Sequence, residues 1–202
     1  REKYVQKEIN KVEMDENLAE IFGVLNGDGH LSNINYEICI VGDLKEKKYY
    51  FHLKKLFEQK FGIPFTLRKE KSSFKLRCYS KNLSDLLYKK YGFIKGSKIN
   101  RLKIPKKVLT SKKLSKAYIR GLFDTDGGFL VRRKKDPMIH ITSATPSYLK
   151  EVKDLLENLG FFIAKGSQKI FIYRKKDVNK FFKEIKPANS KHLKKFEIYS
   201  NL

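Results

Sequence analysis

The feature that most limits how this chain can fold is that it repeats itself. Ile21-Phe22-Gly23-Val24-Leu25-Asn26-Gly27-Asp28-Gly29 is answered by Ile119-Arg120-Gly121-Leu122-Phe123-Asp124-Thr125-Asp126-Gly127. Each is an apolar helical stretch with a glycine inside it, closing on Asp-Gly. The correspondence continues in order. Glu37-Ile38-Cys39-Ile40 pairs with Met138-Ile139-His140-Ile141, and Leu56-Phe57-Glu58 before Phe61-Gly62 pairs with Leu155-Leu156-Glu157 before Leu159-Gly160. Phe74-Lys75-Leu76-Arg77 is set against Lys169-Ile170-Phe171-Ile172, and Gly96-Ser97-Lys98 against Asn189-Ser190-Lys191. Five matches in one order argue for duplication, and a duplicated chain forms two similar halves about a pseudo-twofold axis.

Within each half the patterning predicts helix, two strands, helix, two strands, helix. Asp15 caps a first helix ending near Gly27, strands follow near 30–34 and 36–42, and a helix runs from about Lys45 to Lys60. A hairpin over Pro64–Lys69 and Phe74–Tyr79 alternates, with Phe74, Leu76 and Cys78 on one side and Lys75, Arg77 and Tyr79 on the other. A helix near Asn82–Tyr91 closes the half. In the second half Ile139 and Ile141 point inward, His140 and Thr142 outward. The expected architecture is α+β: two αββαββα halves, antiparallel sheets forming a saddle, and the two motif helices packed at its centre. The halves are placed at 1–96 and 114–202, joined by a basic linker over 97–113 that carries Pro105.

Charge points to the partner. Forty-five Lys and Arg against twenty-two Asp and Glu leave a net charge of +23. The basic residues are interleaved with apolar ones, as on a folded basic surface, and nucleic acid is the partner that relieves such self-repulsion. Heat adaptation would raise Glu together with Lys, which is not seen. No apolar run reaches the ~20 residues of a membrane helix, and no signal peptide opens the chain. Cys39 and Cys78 read as buried reduced thiols of an intracellular protein, in cytoplasm, nucleoid or organelle, and the four His with two Cys offer no zinc spacing. The alternating sheet faces present Arg, Lys, Tyr and Thr, and the basic tips Arg68-Lys69-Glu70-Lys71 and Arg132-Arg133-Lys134-Lys135 are expected to reach phosphates at the flanks of a bound duplex.

The motif itself carries the chemistry. A glycine inside a helix costs ~1 kcal/mol relative to alanine, which makes sense where two backbones must come close. Gly23 and Gly121 are therefore expected at a helix–helix interface. Gly29 and Gly127 are expected in the left-handed conformation that closes a helix. A close helix pair brings Asp28 and Asp126 together at two negative dipole ends, where they repel unless cations sit between them. Oxygen ligands of this kind suit Mg²⁺. A lone Asp-Gly reads as a turn; two at equivalent places in a duplicated basic chain do not.

These two segments resemble the LAGLIDADG motifs of homing endonucleases, and the repeat resembles that family's αββαββα half, from about Asp15 to about Phe196. The resemblance implies a monomeric enzyme that makes a double-strand break in a long asymmetric DNA duplex, using Mg²⁺ or another divalent cation such as Mn²⁺. It implies Asp28 and Asp126 as catalytic, metal-binding residues, with Gly27 and Thr125 beside them at the metal. The second motif is close to the family pattern; the first carries Asn26 where the second has Asp124, a position that does not bind metal. A basic helper in each half is placed at Lys98 and Lys191, with Lys103 and Arg101 competing for the first and His192 for the second. Candidate DNA contacts are Arg68, Lys75, Arg77, Tyr79, Arg132, Arg133, Lys134, His140, Thr142 and Lys169. The alternative is a non-cleaving member of the same fold, an intron RNA maturase or DNA-binding regulator. The chain starts with no splicing nucleophile and ends with no His-Asn pair, so it reads as free-standing or as an isolated endonuclease portion.

Overall fold

The computed structural model describes residues 8–133 and 135–201. The first half comprises α1 (Glu16–Asn26), β1 (Gly29–Leu31), β2 (Glu37–Asp43), a 3₁₀ turn (Leu44–Glu46), α2 (Lys47–Phe61), β3 (Thr66–Lys69), β4 (Ser73–Tyr79) and α3 (Lys81–Asp85). The second comprises α4 (Lys112–Asp126), β5 (Gly127–Arg132), β6 (Asp136–Thr142), α5 (Pro146–Asn158), β7 (Ala164–Lys165), β8 (Lys169–Ile172) and α6 (Lys175–Ile185), followed by α7 (Ser190–Ser200). The strand orders β1-β2-β4-β3 and β5-β6-β8-β7 are the same, and every pairing is antiparallel. The expected α+β duplication is what the chain forms. No helix among the described residues is long and apolar enough to cross a membrane.

Local chemistry explains the elements. Asp15 accepts a hydrogen bond from Leu18 N at 2.8 Å and so starts α1; Ser111 does the same for α4 through Leu114 N at 3.2 Å. On α2, Tyr49, Tyr50, Leu53, Leu56, Phe57 and Phe61 make one buried stripe at helical spacing. On β4, Phe74, Leu76 and Cys78 are buried and Lys75, Arg77 and Tyr79 are not, as the alternation predicts. The cores of both halves are aromatic: Phe57 packs on Phe61 and Phe65, and Phe123 on Phe181. Cys39 and Cys78 are buried free thiols.

Four details differ from expectation. The helix begun at Lys81 winds wider over Leu86–Lys90, a π-type turn. The expected linker is partly ordered, with a 3₁₀ turn over Lys106–Thr110 and α4 starting at Lys112, and α7 was not anticipated. Gly29 and Gly127 are not left-handed, since neither has positive φ; each is the first residue of a strand. They are confined to glycine by space instead. A Cβ on Gly29 would lie 2.5 Å from Leu25 Cα, and one on Gly127 2.8 Å from Phe123 Cα. Finally, strand register shifts one repeat match by a residue. Gly29 pairs with Ile40 and Gly127 with Ile141, so Cys39 and His140 are equivalent; opposite them stand Arg77 and Phe171. Lys75-Leu76-Arg77-Cys78, rather than Phe74–Arg77, is the true counterpart of Lys169–Ile172.

Candidate metal centre and nucleic-acid interface

The site is built where α1 and α4 end. A Cβ on Gly23 would fall on the carbonyl oxygen of Tyr118, with Leu122 N 2.6 Å away. One on Gly121 would fall on that of Glu20, with Val24 N 2.9 Å away. The two helix backbones therefore touch at the motif glycines, as expected. Beside the crossing, buried Glu20 ties the helices together through Arg120 at 2.8 Å and also meets His52 at 3.2 Å. At the C-terminal ends the motifs remain side by side: a Cβ on Gly27 would collide with the Thr125 side chain and lie 3.5 Å from Asp126 Cγ.

This placement determines the electrostatics. Burial, then the charge of Asp126, raises the Asp28 carboxyl to about 7; Glu46 adds to the rise, while Lys191 and Lys98 oppose it. Burial raises Asp126 to about 6 against the same two lysines. Both carboxyls are thus held well above their ordinary range by burial, which the two lysines offset only in part.

Sequence comparison placed Lys98 and Lys191 at this site, and both come to it by different means. Lys98 Nζ donates to the carbonyls of Leu25, Asn26 and Gly27 at 3.1, 3.0 and 2.6 Å, closing the end of α1. Burial pulls its pKa down, and Asp126 and Asp28 pull it back. Lys191 Nζ instead lies 2.6 Å from Glu46 Oε1. Of their competitors, His192 is core: it lies under the Phe123 ring at 4.3 Å, and burial lowers its pKa to about 3. Arg101 is exposed and donates to the main-chain oxygens of Lys95 and Ser97.

Sequence reasoning missed the groups that deliver these lysines. Asn26 Nδ2 donates to Lys103 O at 2.9 Å and to Tyr118 Oη at 2.7 Å, anchoring the segment that carries Lys98. At the equivalent motif position Asp124 Oδ2 accepts from Ala188 N at 2.7 Å, anchoring the segment that carries Lys191. Asn189 completes that anchor, donating to Asp124 O at 3.0 Å and to Glu46 Oε1 at 2.9 Å. The available signal was a polar residue at the same place near the end of two otherwise apolar helices.

The candidate contact residues of the strands lie on the sheet faces not covered by helices. Glu37, also unforeseen, organises the first face: Lys75 Nζ lies 3.0 Å and Arg77 Nη1 3.7 Å from its Oε1, and Tyr79 Oη donates to it at 3.3 Å. Arg68 stands opposite Lys75, Lys169 opposite Thr142, and His140 opposite Phe171. The imidazole of His140 fills the space above Gly128, Nε2 lying 2.6 Å from where a Cβ would be. Exposed His30 is paired with Cys39, so the first sheet also carries an imidazole at this level, on the neighbouring strand. Arg132 and Arg133 are exposed at the β5–β6 tip; Lys134 lies outside the described residues. The two basic tips are not equivalent, however. Asp43 pairs with Ser73, so the β3–β4 tip lies at the inner end of its sheet, whereas the β5–β6 tip lies at the outer end.

Comparisons with known proteins agree with this architecture. Residues 113–186 match the model of the LAGLIDADG-like domain. I-DmoI in complex with DNA and Mn is similar over 84% of this chain and 96% of that one, with 19% identity and a TM-score of 0.60. I-WcaI bound to its DNA recognition sequence is similar over 89% and 84%, with 20% identity and a TM-score of 0.59. I-SmaMI bound to uncleaved DNA target in the presence of calcium ions is similar over 89% and 87%, with 15% identity and a TM-score of 0.57. No curated protein sequence matches the chain. The fold is that of the homing endonucleases. Within it, residues 113–186 match the model of a LAGLIDADG-like domain, and the first half repeats the topology of the second.

Proposed function

We propose that this chain is a monomeric homing endonuclease that hydrolyses both strands of a long asymmetric DNA duplex, one strand in each half. The observation that carries the reading is the pair Asp28 and Asp126, side by side at two helix ends and both raised by burial in a chain of net charge +23. The halves over 1–96 and 114–202 each contribute one aspartate; Lys191 comes from the second half and Lys98 from residues 97–113, which join the two. Relatives of the same fold bound to DNA, with Mn or calcium ions present, support it.

The donor chemistry fits a divalent cation. Two buried, neighbouring carboxylates form an oxygen set suited to Mg²⁺ or Mn²⁺. No group of three or more His, Cys, Asp or Glu able to hold a metal occurs among the described residues. Asp28 and Asp126 would hold the cation. Gly27 and Thr125 would stand beside it, with the Thr125 hydroxyl donating to Gly121 O or Leu122 O and the Gly27 carbonyl accepting from Lys98 Nζ. When bound, the cation supplies Lewis-acid polarisation of the scissile phosphates. Lys98 and Lys191 orient the attacking water or stabilise charge on the phosphates, and the cationic sheet faces hold the duplex through Arg68, Lys75, Arg77, Tyr79, Arg132, Arg133, His140, Thr142 and Lys169.

The test is strand cleavage in Mg²⁺ by Asp28→Asn and Asp126→Asn, with duplex binding measured in parallel. Loss of cutting with binding retained is expected; undiminished cutting by both variants would remove the pair from the chemistry. Affinity should fall steeply with salt as phosphate contacts release counterions.

A further inference from the structure

The strand registers make the two open sheet faces directly comparable, and their chemistry differs. Around the equivalent positions Cys39 and His140, the first face carries Glu37, Lys75, Arg77 and Tyr79. The second carries Met138 where the first has Glu37 and Phe171 where it has Arg77. Leu130 stands across from Met138, and Ala164 across from Phe171. All four are partly exposed on the face opposite the core residues Phe129, Ile139, Ile141 and Ile170. Beyond them, Phe162 and Tyr173 make an edge contact at 6.1 Å and are 43% and 44% exposed.

We propose that the two halves read their half-sites by different chemistry: the first by hydrogen bonds centred on Arg77, the second by apolar contact with thymine methyl groups. This rests on the duplex-binding reading above. Arg77 is set in advance: its Nη1 donates to Tyr79 Oη at 3.2 Å and lies 3.7 Å from Glu37 Oε1, and its guanidinium lies 5.5 Å from the Tyr79 ring centre. A planar guanidinium held in this way matches the O6 and N7 acceptors of guanine. The second strip has no guanidinium between Leu130 and Phe171; its one polar side chain there is the His140 imidazole, packed over Gly128. It is bordered by Arg132, Thr142 and Lys169, whose charge and hydrogen-bonding capacity suit a duplex rather than an apolar protein partner. The apolar group on base edges in the major groove is the C5 methyl of thymine. The target of this chain is accordingly guanine-bearing under one half and thymine-rich under the other.

The experiment uses the full chain with EDTA present, so that no cation or cleavage enters. Preferred duplexes are recovered from a randomised-duplex library by binding. The thymines of each half-site are then replaced by deoxyuridine, which lacks the methyl, and affinity is read by fluorescence anisotropy. Deoxyuridine in one half-site should weaken binding several-fold while the same change in the other stays within about twofold. Arg77→Ala should relax guanine preference by roughly tenfold in the insensitive half-site. Phe171→Ala or Met138→Ala should abolish sensitivity to deoxyuridine in the other. Equal sensitivity of both half-sites, or none in either, overturns the proposal even if a variant fails to fold, because that measurement uses the unaltered chain. Arg77→Ala and Phe171→Ala acting on the same half-site overturns it as well. A chain that binds no duplex at all overturns the proposed function itself, and this inference with it.

Discussion

Lys191 Nζ lies 2.6 Å from Glu46 Oε1, a carboxylate contributed by the other half, whereas its counterpart Lys98 is held by three main-chain carbonyls. The pseudo-symmetry of the fold thus stops short of the groups around the aspartates. At the place of Glu46 the second half has the neutral Thr145, whose Oγ1 accepts from Asn100 N at 3.1 Å.

Glu46 is also the acceptor for buried Asn189, and the two roles can be separated. Glu46→Ala leaves the Asn189 amide short of a partner and is expected to cost about 1–3 kcal/mol. Glu46→Gln keeps the acceptor oxygen and should cost less, while freeing Lys191 from its ion pair. Urea unfolding of both variants decides this; equal costs would show that the Asn189 hydrogen bond contributes nothing.

Alanine at Gly23 or Gly121 must push the helices apart, because each Cβ would fall on a backbone carbonyl of the other helix. Neither backbone can step aside without breaking its own hydrogen bonds. A loss of about 3 kcal/mol, at the upper end of overpacking costs, is expected for each in chemical denaturation. A neutral result would contradict the close crossing.

Stability in the absence of divalent cations should depend on pH in a defined direction. The folded-state values of Asp28 and Asp124, about 7, and of Asp126, about 6, lie above the ordinary Asp value. Between about pH 4 and 7 the folded state therefore binds more protons than the unfolded chain at these groups, and their contribution to stability falls as pH rises. His192, lowered to about 3, works oppositely: the unfolded chain binds its proton more readily, so this contribution grows between about pH 3 and 6.5. Asp28→Asn with Asp126→Asn should remove much of the fall. Mg²⁺ should raise the melting temperature more at pH 8 than at pH 5, since the cation binds the deprotonated carboxylates. Thermal melts across pH, with and without Mg²⁺, provide the check.

Asn26 and Asp124 are expected to tolerate exchange unequally. Asn26→Asp removes the donor to Lys103 O and Tyr118 Oη and sets a buried carboxylate against a carbonyl, a cost of about 1–3 kcal/mol. Asp124→Asn keeps an oxygen for Ala188 N and should cost less. Reversed costs in denaturant unfolding would contradict the anchoring described for the two segments.

Much of the fold was legible because it was written locally. The caps Asp15 and Ser111, the buried stripe of α2 and the alternation of β4 are patterns within one element. The motif glycines and aspartates were legible because the duplication presented them twice. Gly29 and Gly127 misled for a physical reason: glycine permits positive φ, but it also permits close approach, and sequence does not say which a site uses. The contacts of Glu37 and Glu46, and those of the Asn189 amide nitrogen, carry no local signal, since each joins residues far apart along the chain.

The amino-acid sequence by itself determined the repeat, the α+β elements, the cationic character and the pairing of Asp28 with Asp126, because periodicity and charge are additive along a chain. Only the tertiary structure decided what surrounds that pair. The strand register aligned Arg77 with Phe171 and so distinguished the two sheet faces. The packing of the halves brought Glu46 to Asn189 across 143 residues of sequence and left Lys98 to the carbonyls of α1. Contacts of that range depend on how the helices and sheets are stacked, which no neighbouring residue encodes.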